Sequence, residues 1–264
     1  MKTLAFINLK GGTGKTVSAA NMAHILAVIH HKKVLLVDAD KQGNASRYFH
    51  RYGEQDGTAA VLTSLPERPM VEIAKTIYPT EYKGLDIITS NMELYSADRA
   101  LYEDQEDVSG MLITALALVR NDYDYCIIDN GPAVDMVTLN VLRAADDVLI
   151  PIRPDEFSFS GLLDLVEQVQ AVRESINPRL TMRGAFFTHW QNREPFVLAR
   201  KSLEDSGICP VFQTVINYNP KVPESTLEEM PLCVYAPRSW AAIQYKKLTA
   251  EYLSLTDSVK GKEG

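Results

Sequence analysis

The sequence has few cysteines, and no two of them stand at a metal-binding spacing. Cys126, Cys209 and Cys233 lie far apart, which predicts small buried side chains in a reducing compartment, not a disulfide framework. No apolar run approaches the ~18 residues that a membrane-spanning helix requires. The first residues lack a charged segment followed by a long apolar one, so we expect no secretion signal. These absences predict a cytoplasmic protein.

Positive charge is also in short supply. The chain carries 27 Lys and Arg residues against 34 Asp and Glu residues, a formal net charge of −7 at pH 7. This balance argues against a surface covered in nucleic-acid-binding charge, although a local basic face is compatible with an acidic total. Segment 179–250 is a candidate for such a face, because it holds nine basic residues against six acidic ones.

Short apolar runs alternate with helical patterns along the chain. Such alternation predicts an α/β fold with a doubly wound, mostly parallel sheet and helices on both faces. We expect one domain over 1–264, with a mobile insertion at 41–83, a polar tail from about 256, and no room for a DNA-reading helix-turn-helix before the first strand. The predicted strands are 4–8, 34–38, 85–88, 125–129, 148–152, 184–188 and 211–216, and the predicted helices are 15–30, 92–102, 109–120, 136–144, 158–176, 195–205 and 239–255.

A glycine-rich segment between the first strand and the first helix carries the clearest chemical signal. Residues 10–16 read Lys-Gly-Gly-Thr-Gly-Lys-Thr. Glycines permit positive φ and a close approach of backbone N–H groups to phosphate oxygens, and the helix N-terminus adds its positive dipole end. In this arrangement Lys15 reaches the β- and γ-phosphates and the Thr16 hydroxyl binds Mg²⁺. The sequence therefore predicts a P-loop NTPase fold with ATP or ADP and Mg²⁺ as cofactors.

Three segments together resemble one family of nucleotide-binding proteins. KGGTGKT at 10–16, VLLVDADKQGNAS at 34–46 and YCIIDNGPA at 125–133 are similar to the deviant Walker motifs of the ParA/MinD ATPases. The resemblance extends over nearly the whole chain, and its C-terminal part is similar to ParA/Soj-type partition proteins. Two departures stand out: Leu9 replaces the usual first P-loop glycine, and Gly131 precedes Pro132 after the Walker B aspartate.

Three aspartates follow two of the predicted strands. Asp38 and Asp40 lie two residues apart at a strand end and therefore on the same side of the extended chain, and Asp129 closes the next apolar strand of the motif set. The resemblance implies that Asp40 orients the attacking water and that Asp38 and Asp129 join Thr16 around Mg²⁺. For Asp38 and Asp40, a strand-end cap or plain surface charge is the alternative.

The resemblance also implies an ATP-sandwich homodimer. In such a dimer Lys10 reaches the phosphates of the opposite subunit, where a second cation on the transferring phosphoryl group acts like an arginine finger. Adenine recognition falls near Thr188 and 216–219. The predicted catalytic residues are Lys10, Lys15 and Asp40, and the predicted nucleotide contacts are Lys10, Gly11, Gly12, Thr13, Gly14, Lys15, Thr16, Val17, Asn217 and Asn219.

The family's non-specific DNA contacts match Arg193 and Lys221, which lie inside the basic segment. Phosphate contacts of this kind carry no sequence preference and weaken steeply with salt. Ordinary solvated surface charge is the alternative for each residue. In the last helix, the helical spacing of Trp240, Tyr245 and Tyr252 predicts core packing, not a platform for stacked bases.

Three functions from different classes compete. The first is a nucleoid-associated ParA-like ATPase that partitions plasmid or chromosomal DNA, with hydrolysis stimulated by a ParB-like partner. The second is a MinD-like positioning ATPase that acts on a membrane or protein cargo; its basic amphipathic C-terminal helix is not suggested by the polar segment 254–264. The third is a metabolic or electron-transfer member of the same superfamily, such as an iron–sulfur ATPase, which three scattered cysteines disfavour. We therefore expect the first function and no membrane partner.

Overall fold

The computed structural model describes residues 1–64, 73–104, 107–154 and 158–260. Within these residues the strands form one seven-stranded sheet. They are β1 (Lys2–Phe6), β2 (Val34–Ala39), β3 (Ile77–Pro79), β4 (Leu85–Ile88), β5 (Tyr125–Asn130), β6 (Asp147–Ile152) and β7 (Thr181–Phe187). Their spatial order is β3-β4-β2-β5-β1-β6-β7. The β3–β4 pair is antiparallel and the other described pairs are parallel.

Helices connect the strands and cover both faces of the sheet. α1 runs straight into a π-helical turn at Ile25–Ile29, and 3₁₀ turns occupy Ile73–Thr76 and Val108–Gly110. The helices are α1 (Lys15–His24), α2 (Asn44–Tyr48), α3 (Thr58–Thr63), α4 (Glu93–Glu103), α5 (Met111–Leu118), α6 (Met136–Ala144), α7 (Ser158–Ser175), α8 (Glu194–Ser206), α9 (Lys221–Leu227), α10 (Leu232–Tyr235) and α11 (Trp240–Lys260). No helix of the described chain has the length and apolar character needed to cross a bilayer.

Strand β2 shows how the core is divided between the two faces. All six of its residues are buried, and because successive side chains of a strand point to opposite faces, it contributes to two separate apolar clusters. Leu35 and Val37 pack with residues of α3 to α7 on one face. Val34 and Leu36 pack with residues of α1 and α11 on the other. The predicted doubly wound fold is confirmed.

The sheet brings the three motif segments to one edge. β1 leads into the glycine-rich loop, and the parallel register pairs Phe6 with Asp129 and Asp38 with Asp129. Since the carboxyl ends of parallel strands meet on the same side of a sheet, the loop and the acidic residues face a common space. This is the crevice in which open α/β sheets bind ligands.

The predicted strand at 211–216 is wrong. Val211 makes only an isolated bridge to Ala185, and the segment is otherwise irregular. The backbone N–H groups of Gln213 and Thr214 donate instead to the carboxylate of Glu251 on α11, at 2.7 and 2.9 Å. The Glu251 side chain thus takes two of the N–H groups, while those of Phe212 and Ile216 still donate to backbone oxygens of β7 at 2.8 Å each.

Segment 41–83, for which the sequence predicts a mobile insertion, contains regular secondary structure that was not predicted. This stretch contains α2, α3, a 3₁₀ turn and the edge strand β3, while 65–72 lies outside the described residues. The Thr58 hydroxyl donates to the backbone oxygen of Asp38 at 2.6 Å, which ties α3 to the end of β2. These elements are too short to show a clear period, but they pack on the central sheet.

The last helix differs from its prediction at both ends. Tyr245 and Tyr252 are buried as expected, whereas the Trp240 side chain is 69% exposed at the first turn. At the other end the helix continues to Lys260, so 256–260 of the expected tail are helical, and 261–264 lie outside the described residues. Helices α9 and α10, which precede it, were not predicted.

Candidate nucleotide-binding site

A cavity of about 610 Å³ opens at the carboxyl ends of the central strands. Its floor is the glycine-rich loop, residues 11–17, and its walls come from the segment after β2, the loop 216–219 and helix α9. The predicted site residues that line it are Gly11, Gly12, Thr13, Gly14, Lys15, Thr16, Val17, Asp40, Asn217 and Asn219. The structure therefore brings the predicted phosphate loop and the predicted base region into one space.

The glycine-rich loop has the backbone that a phosphate cradle requires. Gly12 and Gly14 have φ of 73° and 90°, the left-handed region that favours glycine, and α1 begins directly after Gly14. The Thr188 hydroxyl donates to the backbone oxygen of Thr13 at 2.8 Å and holds the loop against the end of β7. The loop is thus fixed in place with the helix N-terminus aimed into the cavity.

Lys15 is buried beneath this loop. Its Nζ donates to the backbone oxygens of Asn8 and Lys10, at 3.0 and 3.1 Å. Burial lowers the pKa of Lys15, and the nearby charges of Asp129 and Asp40 act in the opposite direction. An anion bound in the loop would favour the charged form of the Lys15 ammonium, because its negative charge would attract the buried cation and offset the cost of burial.

Asp129 is the most unusual polar group of the site. Its side chain is fully buried, and neither carboxylate oxygen makes a hydrogen bond of normal geometry to any described residue. Burial, followed by the charge of Asp38, raises the pKa of Asp129 well above its ordinary value, while the nearby Thr16 hydroxyl acts in the opposite direction. A buried carboxylate without partners is costly unless a cation or another donor satisfies it.

Asp38 lies beside Asp129 in the sheet register but has its hydrogen bonds supplied. Its Oδ2 accepts from the backbone N–H and the hydroxyl of Ser46, both at 2.7 Å, and its Oδ1 accepts from the backbone N–H of Asp40 at 3.1 Å. Burial raises the pKa of Asp38 to about 6 against these hydrogen bonds. The arrangement fastens α2 and the Asp40 turn to the end of β2.

Asp40 faces the cavity from the next turn. Its Oδ1 accepts from the backbone N–H of Gln42 at 2.9 Å. Gly131, in the loop that follows β5, lies directly against it, since a Cβ at Gly131 would be 3.6 Å from Asp40 Oδ1. Asp40 therefore sits between the glycine-rich loop and the segment after Asp129, where a water beside the phosphates would be in reach.

The donors present fit Mg²⁺ bound together with a nucleotide. The described residues contain no cluster of three or more His, Cys, Asp or Glu side chains that would hold a metal alone. Mg²⁺ at nucleotide sites is usually held by one or two carboxylates together with substrate phosphates and water. The Thr16 hydroxyl and the unpartnered oxygens of Asp129 are suited to this role.

The far end of the cavity contains residues that sequence reasoning missed. The Tyr48 hydroxyl bonds with Asn21 and Ser225 at 3.3 Å each, which links α2, α1 and α9 behind the cavity wall. No sequence signal marked this wall, because it depends on α2 and α9, two short helices that periodicity did not reveal. The lining residues outside the segments predicted to contact the nucleotide are Gln42, Asn44, Arg47, Tyr48, Pro132, His189, Val222, Pro223, Thr226, Glu229 and Tyr245.

The asparagines predicted near the base both make local hydrogen bonds. The Asn217 backbone N–H donates to Gln244 Oε1 at 2.9 Å, and Asn219 Oδ1 accepts from the backbone N–H of Lys221 at 2.9 Å. These bonds fix the loop's path along the cavity. Ile216, which precedes the loop, is buried and lines the same wall.

The remaining predicted residues lie outside the cavity. Lys10 stands beside it, since the lining begins at Gly11. Arg193 is exposed at the start of α8, and Lys221 is exposed at the start of α9, where its Nζ pairs with Glu224 at 2.6 Å. An isolated bridge between Trp190 and Asn217 brings the two loops that lead to these basic residues side by side.

Known proteins show which family has this sequence and fold. A family profile described as an AAA domain matches residues 1–182. The chain is 34% identical to the chromosome-partitioning ATPase Soj of Treponema pallidum, covering 96% of this chain and 97% of the relative. It is 32% identical to the chromosome partitioning protein ParA of Caulobacter vibrioides, covering 96% and 94%.

A solved structure agrees with this relationship. Cobyrinic acid a,c-diamide synthase from Mycobacterium smegmatis, with a bound ATP analogue and magnesium, superposes with a TM-score of 0.84 at 25% identity, covering 98% of this chain and 96% of that one. At the level of the family, the predicted cofactors are confirmed. The chain belongs to the AAA-domain family that includes Soj and ParA, the ParA/MinD group of deviant Walker ATPases.

Proposed function

We propose that the chain is a single P-loop domain that binds ATP with Mg²⁺ and hydrolyses it to ADP and phosphate. The observation that carries this proposal is the carboxylate of Asp129, which is buried without a hydrogen-bond partner of normal geometry among the described residues and lies close to Thr16 and Lys15, two residues that line the cavity. Bound Mg²⁺ would neutralise charge on the phosphates. A carboxylate buried without partners is costly, and a bound cation at this position would offset that cost.

The glycine-rich loop, Lys15, Asp40 and Lys10 each have a role in this proposal. The backbone N–H groups of the loop bind the phosphate oxygens, and Lys15 supplies the cation within the subunit. Asp40, oriented by its bond from the Gln42 backbone, positions the attacking water. Lys10, beside the cavity, reaches the phosphates of a second copy of the chain when ATP holds two subunits together.

The proposed biological role is partition of plasmid or chromosomal DNA in the cytoplasm, at the nucleoid. It is supported by the similarity to Soj and ParA over nearly the full length of each chain. In this cycle the ATP-bound dimer holds DNA through phosphate contacts of Arg193 and Lys221, and a ParB-like partner stimulates hydrolysis and release. Lys221 would exchange its ion pair with Glu224 for a DNA phosphate.

The direct test is binding of the purified protein to a duplex of arbitrary sequence, with ATP, with ADP and without nucleotide, across a salt series. We expect ATP-dependent binding that weakens as salt rises, because released counterions drive such contacts. Arg193→Gln and Lys221→Gln should each weaken binding and flatten its salt dependence. Arg99→Gln, which removes an exposed Arg paired with Glu103 on α4, is the matched control.

Two further results complete the test. Lys15→Ala should remove nucleotide binding or hydrolysis and, with it, the nucleotide dependence of DNA binding. If an ATP dimer forms and DNA binding is absent, the partition role is refuted and the ATPase assignment survives. Liposome flotation and a search for a protein cargo would then test a positioning role of the MinD kind.

A further inference from the structure

A partly buried ion-pair cluster begins at the residue after Asp40. Lys41, the next residue, contacts Asp98 of α4 with its Nζ at 2.8 Å and Asp135 at the start of α6 at 2.6 Å. The three side chains are each less than a fifth exposed. We call Lys41, Asp98 and Asp135 the Lys41 cluster. It connects the turn that carries Asp40 with two helices on the same face of the sheet.

Both acids of the cluster hold the first turn of α6. Asp98 Oδ1 accepts from the backbone N–H of Met136 at 3.0 Å, and its other oxygen bonds Lys41. Asp135 Oδ1 accepts from the backbone N–H of Thr138 at 2.8 Å, as a helix N-cap does, and its other oxygen also bonds Lys41. Each carboxylate thus bridges the Lys41 ammonium and the backbone of the helix that follows Asp129 and its loop.

The same turn touches this loop and α4 at further points. Gly131 lies against Asp40, and Gln42 Nε2 donates to the Tyr95 hydroxyl at 3.2 Å. The Lys41 ammonium also lies 5.2 Å from the centre of the Tyr95 ring, within cation–π range. A displacement of Asp40 would therefore be transmitted to α4 and α6 through contacts on both of its sides.

Lys41 supplies the positive charge that holds the two carboxylates of the cluster together. Two partly buried carboxylates share one ammonium, and the positive end of α6 supplies the rest of the compensation. Burial alone would lower the pKa of Lys41, but the hydrogen bonds and charges of Asp135 and Asp98 raise it overall, so the ammonium stays charged. Without it the two carboxylates would repel each other beside the same helix end.

We propose that Lys41 is a positioning residue that couples the Asp40 turn to the N-terminus of α6. Through this coupling, nucleotide bound at the glycine-rich loop changes the conformation of the surface formed by α4 and α6. The inference rests on the proposed nucleotide function. The Lys41 side chain contacts neither the phosphate loop nor the cavity. In this proposal it determines the position of Asp40 and of the segment that begins at Gly131.

The first experiment follows backbone hydrogen exchange with and without ADP and Mg²⁺, and it requires no hydrolysis. In the unaltered protein we expect nucleotide to slow exchange both in the loop 11–17 and in peptides covering 136–138. In Lys41→Met the loop should still respond, while the response at 136–138 is lost. Arg99→Met on α4, which removes an exposed ion pair of the same helix, should leave both responses intact.

The second experiment measures ATP turnover. Lys41→Met should lower kcat by about 10-fold or more while the KM for ATP changes by less than about 3-fold, because a misplaced water-orienting group affects the chemical step more than binding. Lys41→Arg should restore most of the rate, since a guanidinium can reach both carboxylates. A substitution that merely loosened the fold would show neither the kcat-specific loss nor the rescue.

The two experiments separate failure of this inference from failure of the proposed function. If the unaltered protein binds nucleotide and never hydrolyses it, the ATPase proposal fails and the exchange data alone decide the role of Lys41. The inference is overturned if 136–138 do not respond to nucleotide in the unaltered protein, if they respond equally in Lys41→Met, or if Lys41→Met also abolishes the response of the loop.

Discussion

Replacing Asp129 with Asn should stabilise the nucleotide-free protein while it weakens Mg²⁺-dependent nucleotide binding. Asp129 is fully buried, and its two oxygens have no hydrogen-bond partner among the described residues. A buried polar group left unsatisfied costs about 1–3 kcal/mol, and a charged one costs more. The Lys15 charge offsets part of this cost. The Asn amide would also lack partners, so Asp129→Asn removes only the extra cost of burying a charge. We therefore expect it to add about 1–2 kcal/mol to the free energy of unfolding, or roughly 2–8 °C in Tm for a chain of this size.

Asp147 offers a matched control, because it is also a fully buried aspartate at the sheet but has its partners in place. Its carboxylate contacts Lys2 at 3.1 Å and Arg183 at 2.8 Å, and accepts from the Tyr252 hydroxyl at 2.9 Å. Asp147→Asn should therefore lower the free energy of unfolding by about 1–3 kcal/mol, since it breaks charge-assisted bonds. The same chemical change should thus have opposite signs at the two positions.

The assay is urea unfolding of both variants and the unaltered protein, without ligand and with ADP and Mg²⁺. Saturating ligand at about 100 times Kd stabilises a protein by about 2.7 kcal/mol. The unaltered protein and Asp147→Asn should show this increment, and Asp129→Asn should lose the part that depends on Mg²⁺. If Asp129→Asn is less stable than the unaltered protein without ligand, our account of its unsatisfied carboxylate is refuted.

Three further predictions follow. Asp38 has a pKa of about 6 in the folded protein against an ordinary 3.8, so the folded state binds this proton more tightly than the unfolded state does. Its contribution therefore lowers the free energy of unfolding as the pH rises from 3.8 to 6, by about 3 kcal/mol in all. Urea unfolding across this pH range should show a shallower dependence in Asp38→Asn, and an unchanged dependence would refute the assignment. Gly57→Ala should lower the free energy of unfolding by about 1–3 kcal/mol, because its Cβ would lie 2.3 Å from the Thr89 backbone oxygen. Gly161→Ala, whose Cβ would have no atom of the described residues within 4 Å, should be neutral or stabilising, and thermal melts of both variants would measure the difference. Asp40→Ala should bind ATP but remain a dimer on light scattering, and wild-type turnover in this variant would contradict the role given to Asp40.

The parts of the fold that the sequence predicted are those with a strong period or a phosphate-loop pattern. β2 and β5 are continuous apolar runs ending in aspartates, and each was placed within one residue of its observed end. The glycine-rich loop was predicted because its order of glycines, lysine and threonine between a strand and a helix is typical of phosphate-binding loops. Such segments are specified locally, so a single sequence suffices to find them.

The errors concern segments whose structure depends on distant partners. The stretch 211–216 has the β-branched composition of a strand, but Glu251, about 40 residues later, accepts the N–H groups of Gln213 and Thr214. α9 is too short to show a helical period, yet its Ser225 closes the hydrogen bonds behind the cavity wall. Trp240 fits the apolar stripe of α11 by spacing, but it is the first residue of the helix and is mostly exposed. Neither composition nor spacing carries this information.

The same limit separates two aspartates that the sequence treats alike. Motif reasoning gave Asp38 and Asp129 one shared role around Mg²⁺, and both end up fully buried side by side. The structure distinguishes them by hydrogen bonding: Ser46 and the Asp40 backbone satisfy Asp38, whereas Asp129 has nothing comparable. We infer that Asp38 holds the Asp40 turn in place and that Asp129 is the carboxylate left for the metal. Asp38→Asn should therefore affect turnover through the position of Asp40, and Asp129→Asn through affinity for Mg²⁺, a difference that titration of Mg²⁺ at fixed ATP would measure.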